Sequence, residues 1–252
     1  MVETPRQVPV VEQILSANDE IALGNRRLLD TQGVVAVNLM ASPGAGKTSL
    51  ILRTIQALQD RLRIGVIEGD LAGRVDADRV AETGTPVVQI NTGGGCHLDA
   101  WQVQGALHEL PLGQIDLLFI ENVGNLVCPA GFALGERLKV MIAHVPEGHD
   151  KPIKYPGMYT VVDALVLNKL DLMPYLDFDL DAFRTAVRAL NARAPIFEVS
   201  CKTGEGLVPW VEWLVLSAED VPEKRQPFAP LEGRHGCRTP RGRGAGREDE
   251  RR

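Results

Sequence analysis

Val34-Val35-Ala36-Val37-Asn38-Leu39-Met40 runs directly into Ala41-Ser42-Pro43-Gly44-Ala45-Gly46-Lys47-Thr48, and a stretch with helical spacing follows over 47–60. Apart from Asn38 the first seven residues are apolar, three of them β-branched, the composition of a parallel strand buried on both faces. The next eight form a phosphate-binding loop. Small residues let successive backbone N–H groups turn inward around phosphate oxygens, and the helix behind them adds its positive N-terminal end. Lys47 reaches the outer phosphates, Thr48 offers a hydroxyl to a hard cation such as Mg²⁺, and Ser49 opens the helix beside them. The loop departs from the general pattern at one place, Ala41, where that pattern has its first glycine.

The order strand, loop, helix repeats on either side. Upstream, Val11, Leu15, Ile21, Leu28 and Leu29 recur at three- and four-residue spacing, which predicts an amphipathic helix over 10–31 stopped by Gly33. Downstream, strands are expected at 64–68, 87–91, 117–121, 140–145, 164–168 and 196–200. Helices are expected at 47–60, 98–109, 179–192 and 205–216. Alternation of this kind predicts an α/β chain, a three-layer P-loop NTPase fold with a mostly parallel sheet. The division is a helical segment over 1–33, a nucleotide-hydrolysing domain with a metal site over 34–218, and a tail over 219–252. The tail is rich in Pro, Gly and Arg and poor in large apolar side chains, so it is expected to be disordered; Cys237 and His235 within it read as incidental.

A length of 252 residues fits one large domain, and a hydrophobic fraction of 44% supports a sizeable core. The net charge of −6 argues against a general nucleic-acid binder. No apolar run reaches the roughly 20 residues of a membrane helix, and the N-terminus lacks a basic start followed by an apolar stretch. These features point to the cytoplasm, with no membrane and no nucleic-acid partner. There, Cys96, Cys128, Cys201 and Cys237 are expected to be free or metal-bound rather than disulfide-linked.

Two segments narrow the nucleotide. Asn168-Lys169-Leu170-Asp171 follows a strand at the end of the sheet where ligands bind. A carboxylate at Asp171 accepts the two N–H groups on guanine's pairing edge; adenine presents no such pair and would leave it unsatisfied, at a cost of about 1–3 kcal/mol or more. Asn168 can bond the loop and the base, and the Lys169 stem can lie along the ring. Ser200-Cys201-Lys202 ends another strand and resembles the Ser-Ala-Lys loop behind guanine in GTPases. Near the phosphates, Asp70 and Glu121 each end a strand and are candidate Mg²⁺ ligands with Thr48; Asp76 lies close behind. Lys47 and Glu121 are the candidate catalytic pair. Gly124, in Glu121-Asn122-Val123-Gly124, can offer its N–H to the γ-phosphate and sense its loss. No residue is evidently placed to orient the attacking water, so slow intrinsic turnover is expected.

The remaining chemistry sits in Gly93-Gly94-Gly95-Cys96-His97 and in Asn125-Leu126-Val127-Cys128-Pro129. Thiolate and imidazole suit Ni²⁺ or Zn²⁺. Neighbouring side chains diverge, so Cys96 and His97 need a third ligand, which Cys128 can supply. Because Cys128 follows the switch acid, metal geometry would report on the bound nucleotide.

Taken together, ASPGAGKTSL, IEGDLAGRVDADRV, QINTGGGCHLDA, LLFIENVGNLVCPA, DKPIKYP, LNKLDLMPY and VSCKTGEGL resemble the HypB-type nickel-incorporation GTPases of hydrogenase maturation, within the SIMIBI-class P-loop proteins. The resemblance covers about 34–216. It implies a metal set of Cys96, His97 and Cys128 near a dimer interface, GTP-promoted homodimerisation, and nickel transfer to the hydrogenase large subunit with a partner nickel chaperone. It also places DKPIKYP, with Lys151 and Lys154, near the nucleotide. Some relatives carry a Cys- or His-rich N-terminal motif; residues 1–33 here hold neither residue, so no separate N-terminal metal site is expected. A urease-type nickel GTPase, a passive metal-binding dimer with nucleotide as a structural ligand, and a small-molecule kinase are the competing readings. Adjacent Cys96 and His97 with Cys128 favour the hydrogenase branch over the first. Asn168 to Asp171 argues against the last.

Overall fold

Alternating apolar residues on the first strand divide the core. Val35, Val37, Leu39 and Ala41 point to one side of the sheet, and Ala36 and Met40 to the other, all of them buried. Asn38 interrupts the second set and is itself fully buried. The computed structural model describes residues 10–71 and 73–219; the expected disordered tail, with Cys237 and His235, falls outside the described residues.

The chain begins with α1 (Val10–Gln32) and turns through Gly33 into β1 (Val35–Ala41). Gly33 has φ +67°. Its N–H bonds the Asp30 carbonyl, and the Val34 N–H bonds that of Leu29, a pairing that needs a left-handed residue just past the helix end. Then follow α2 (Lys47–Leu58), β2 (Ile64–Asp70), α3 (Val75–Ala81), β3 (Val87–Asn91), α4 (Ala100–Glu109), β4 (Leu117–Glu121) and β5 (Leu138–His144). The last elements are α5 (Lys151–Lys154), α6 (Pro156–Thr160), β6 (Ala164–Asn168), α7 (Leu180–Leu190), β7 (Ile196–Glu198) and α8 (Leu207–Glu219). The order across the sheet is β3-β2-β4-β1-β5-β6-β7, and every pairing among the described strands is parallel.

Helices cover both faces, giving three layers. On one face, α2 and α8 pack on the sheet, with Trp210 fully buried and its indole N–H donating to the Thr54 hydroxyl at 2.9 Å. On the other face, α1 and α4 cover β1, β2 and β4, while α6 and α7 cover β5 and β6. α4 is fixed by a reciprocal cap: Asp99 accepts the Gln102 N–H, and the Gln102 side chain accepts the Asp99 N–H.

Several boundaries differ from the sequence expectation. β7 stops at Glu198 rather than residue 200: the Val199 N–H still bonds the Leu167 carbonyl, and the chain then turns so that the Ser200 N–H meets the Glu205 carbonyl. β5 begins at Leu138; Lys139 joins it in spite of its charge, its N–H held by Asp163 and its ammonium near Glu136. α3, α5 and α6 are too short to leave a readable period. The turn after Ser200 depends on Gly206, which has φ +71° and whose added Cβ would overlap the Glu198 carbonyl oxygen. Gly206→Ala is expected to destabilise the protein by about 2–4 kcal/mol, since strain and overlap act together. Denaturant unfolding with an unchanged midpoint would contradict this.

Candidate nucleotide and metal site

All seven strands end on one edge, and the β1–β4 and β1–β5 junctions there are where the loop after β1 opens. Gly44 and Gly46 carry positive φ of +72° and +97°, so the loop needs glycine at both. A Cβ on Gly46 would stand 2.6 Å from Asn168 Nδ2. Ala41 is explained by its place as the last residue of β1: its methyl is buried in the core and its φ is not positive. α2 starts at Lys47 with no side-chain cap and no acid in its first turn, leaving its first N–H groups and positive end available to phosphate.

At the far side of the loop lies a cleft of about 370 Å³ lined by Gly46, Ser49, Asn168, Asp171, Cys201 and Lys202, among others. Asn168 fastens three segments. Its Nδ2 donates to the Ala45 carbonyl at 2.9 Å, and its Oδ1 accepts from the Cys201 N–H at 3.1 Å and the Lys169 N–H at 2.7 Å. Lys169 is the one described non-glycine residue with positive φ, +64°, and its ammonium bonds the Gly44 carbonyl at 2.6 Å. The Ser200 hydroxyl donates to Asp171 Oδ1 at 2.6 Å, which orients the carboxylate toward the cleft. Sequence reasoning did not single out Arg53. From α2, its guanidinium bonds the carbonyls of Cys201 and Lys202 and ties the phosphate helix to the base-side loop.

On the near side the acids gather differently from the expectation. β4 ends at Glu121, whose partner in register on β2 is Glu68; Asp70 lies two residues further along β2, opposite Asn91 of β3. Glu68, Asp76 and Glu121 bring carboxylate oxygens within 4.8 Å of one another, so Glu68 rather than Asp70 stands beside Glu121. The signal was present, since Glu68 is an acid inside an otherwise apolar strand. Thr48 donates to Glu121 Oε1 at 3.0 Å, and Lys47 Nζ lies 3.8 Å from the same oxygen. Glu68 Oε2 and Glu121 Oε2 are buried without a hydrogen-bond partner. Two orphaned carboxylate oxygens beside the Thr48 hydroxyl form a set of hard oxygen donors, which fits Mg²⁺.

Burial, and next the facing Glu121, push Glu68 up to about 10. Glu121 is also raised, mainly by burial, against the pull of Lys47. The pair therefore holds a proton at neutral pH. An unfolded glutamate gives up its proton at its ordinary value, 4.5. From there to about 10 the folded state binds more protons, and stability falls as pH rises. A divalent cation held there would replace the proton and remove that fall. The thermal midpoint without Mg²⁺ is expected to drop between about pH 6 and pH 9, with the drop shrinking at saturating Mg²⁺. A pH trend indifferent to Mg²⁺ would remove this pair as cation ligands.

Beyond Glu121 the chain crosses the phosphate loop. A Cβ on Gly124 would stand 3.0 Å from Pro43, and the Asn125 N–H bonds the Ala41 carbonyl at 2.8 Å. Asn125 Oδ1 then accepts the N–H groups of Val127 and Cys128, setting a short 3-10 turn at Cys128–Gly131. That turn delivers Cys128 to Cys96 and His97, and the three ligand atoms lie within 4.8 Å of one another. Cys96 Sγ and His97 Nδ1 are 3.5 Å apart, so these adjacent side chains converge where divergence was expected. The glycine loop allows it: Gly93 and Gly94 have φ of +60° and +103°. The His97 ring packs on Phe132 with centroids 4.0 Å apart; burial lowers its pKa and keeps the imidazole neutral, the form that binds metal. The Cys128 thiol is pushed up, first by its hydrogen bond with Cys96 and then by burial. Cys96 is exposed, leaving the set open to a further ligand. Cys201 is excluded from this chemistry by place: it is buried beside the base-side cleft, where burial raises it to about 11.

Residues 35–198 match the model of the CobW/HypB/UreG nucleotide-binding domain family. The hydrogenase maturation factor HypB of Rhizobium leguminosarum bv. viciae is 51% identical over 213 residues, spanning 84% of this chain and 71% of that protein. Among solved structures, HypB from Helicobacter pylori in complex with nickel aligns with a TM-score of 0.78 and 35% identity, covering 83% of this chain and 99% of that one. HypB from Archaeoglobus fulgidus aligns with a TM-score of 0.76 and 38% identity, over 81% and 99% of the two chains.

Proposed function

This chain belongs to the HypB hydrogenase maturation factors of the CobW/HypB/UreG nucleotide-binding family, and we propose that it is a GTP-hydrolysing metallochaperone delivering nickel to a [NiFe]-hydrogenase large subunit. The observation that carries the proposal is one continuous segment. Glu121 ends β4 in the nucleotide site, Gly124 and Asn125 touch the phosphate loop, and Cys128 completes the metal set. In this reading Gly124, which senses the γ-phosphate, is four residues from a nickel ligand.

GTP lies with its phosphates in the loop from Gly44 to Thr48, close to Lys47 and Ser49, and its base in the cleft formed by Asn168, Lys169, Asp171, Ser200, Cys201 and Lys202. Thr48, Glu121 and Glu68 would hold Mg²⁺, with Asp76 and Asp70 close enough in sequence and strand order to assist directly or through water; the ion would supply charge neutralisation to the phosphate oxygens. Lys47 draws charge from the γ-phosphate as water attacks phosphorus and the bond to the β-phosphate oxygen breaks. The departing phosphate frees the Gly124 N–H. No residue of this set is assigned to orient the attacking water, so slow turnover belongs to the reading. Nickel is cargo, held by Cys96, His97 and Cys128, a set that also takes Zn²⁺. The exposed Cys96 suits a homodimer formed across the metal face with GTP bound, and hand-off to a partner nickel chaperone and the large subunit. No helix among the described residues is long and apolar enough to cross a membrane, and the cytoplasm is the proposed location.

The base pocket gives a direct test. Asp171→Asn replaces an acceptor by a donor against guanine's N–H edge. GTP affinity is expected to fall about 10–100-fold, matching a loss of about 1–3 kcal/mol, while xanthosine triphosphate gains. Calorimetric titration showing unchanged GTP affinity would sink the assignment of this cleft to guanine.

A further inference from the structure

The two ligand-bearing arms of the metal site meet only at their tips, where the His97 ring packs on Phe132 and the Cys96 and Cys128 thiols are hydrogen-bonded. Both arms are fastened to a closed, buried circuit of hydrogen bonds. On the first arm, just after Cys96 and His97, the Leu98 N–H donates to Asn122 Oδ1 at 3.0 Å. Asn122 Nδ2 donates to Asn38 Oδ1 at 3.2 Å, and Asn38 Nδ2 to Glu136 Oε1 at 3.2 Å. Glu136 Oε2 accepts the Leu134 N–H at 2.6 Å, which reaches the second arm a few residues past Cys128. From there α1 closes the circuit. Asn25 Nδ2 donates to the carbonyls of Leu134 and Ala100 at 2.9 and 2.8 Å. Asn18 donates to the Ala133 carbonyl at 2.8 Å and accepts the Ala100 N–H at 2.9 Å. Ala100 joins back to Leu98 through Asp99.

We infer that this asparagine circuit is the coupling element of the protein, with Asn122 as its node and Asn18, Asn25 and Asn38 as positioning residues for the metal ligands. The inference rests on the nucleotide-gated nickel reading above and assigns the gating to particular side chains. Two facts separate it from ordinary core packing. Asn38 and Asn122 are fully buried and Asn25 is 1% exposed; an apolar core would join these elements without desolvating so many amides. The bonds also fall on the backbone flanking the ligands, 98–100 on one arm and 133–134 on the other. Asn122 follows Glu121 directly in the chain, so a shift of that acid on cation or phosphate binding moves the acceptor that holds Leu98. Gly135 presses the second arm against α1 so closely that an added Cβ would stand 2.5 Å from that of Asn25. The circuit can therefore transmit displacement with little slack; of its amides, Asn25 keeps one buried oxygen, Oδ1, without a partner.

The test is nickel affinity with GDP and with a non-hydrolysable GTP analogue, alongside analogue affinity, in wild type, Asn122→Ala and Asn18→Ala. In wild type the two nickel affinities are expected to differ at least about fivefold. Asn122→Ala should bring that ratio within about twofold of one while analogue affinity holds, a result that a merely structural role would not give. Asn18→Ala, at the outer edge of the circuit, should weaken nickel about tenfold in both nucleotide states and leave analogue affinity unchanged; it carries the test if Asn122→Ala does not fold. A wild-type ratio far from one that survives Asn122→Ala, or wild-type nickel affinity in Asn18→Ala, overturns the circuit and leaves the gating intact. A wild-type ratio of one overturns both.

Discussion

Lys47→Ala is expected to lower single-turnover GTP hydrolysis by at least about 10²–10³-fold, the loss that follows removal of one preorganised charge donor from a water-excluded site. Two effects act together. The γ-phosphate loses its ammonium partner, and the buried acids lose theirs. Lys47 Nζ stands 3.8 Å from Glu121 with both side chains nearly closed to solvent, and it opposes the upward shift of Glu68 and of Glu121 alike. Without it the carboxyl pair holds its proton more tightly and Mg²⁺ must compete harder for the same oxygens. Raising Mg²⁺ and pH should therefore recover part of the binding and little of the rate. Lys47→Arg should not rescue, because a planar fork does not occupy a point-charge position between phosphate and carboxylate. Phosphate release at the wild-type rate in Lys47→Ala would remove this residue from the chemistry.

Cys128→Ala is expected to reduce nickel affinity about 10²-fold or more, since it leaves one thiolate and one imidazole on adjacent residues of an exposed loop. The nucleotide site should not share the loss. The contacts that join this segment to the phosphate loop are made by Gly124 and by the Asn125 backbone, upstream of the thiol, so GTP-analogue affinity without metal should stay within about twofold. Titration of the thiolate-to-nickel absorbance reports the first effect and calorimetry the second. Nickel affinity unchanged by Cys128→Ala would dissolve the three-ligand set.

What could be read from the sequence was what the chain keeps local. The phosphate loop, the Asn168 to Asp171 turn and the strand-helix alternation lie within a few residues each, and their chemistry follows from spacing. Ala41 even resolves its own departure, as a strand residue that needs no positive φ. The candidate metal set needed one long-range guess, and the structure brings Cys128 beside Cys96 and His97. What stayed hidden depends on register and on distant partners. Asp70 was chosen because it ends its strand, and Glu68 was not considered; β2 runs two residues past the end of β4, and only the register of those strands shows that Glu68 faces Glu121. The asparagines left no trace, since Asn25 and Leu134 are 109 residues apart and Asn38 and Glu136 98. Asn38 showed only as a polar break in an apolar strand. The four- to seven-residue helices α3, α5 and α6 carry too few turns to show a period.

The central claim is that nucleotide and nickel read each other through the segment from Glu121 to Cys128. The measurement that meets it most directly is the nickel dissociation constant of the full chain with Mg²⁺-GDP and with Mg²⁺ and a non-hydrolysable GTP analogue, with mass followed in the same samples. The account predicts a difference of at least about fivefold, mirrored by an equal factor in analogue affinity with and without nickel, as linkage requires. Equal nickel affinities in the two nucleotide states, with turnover intact, would leave a GTPase and a metal site that share a fold without sharing a function.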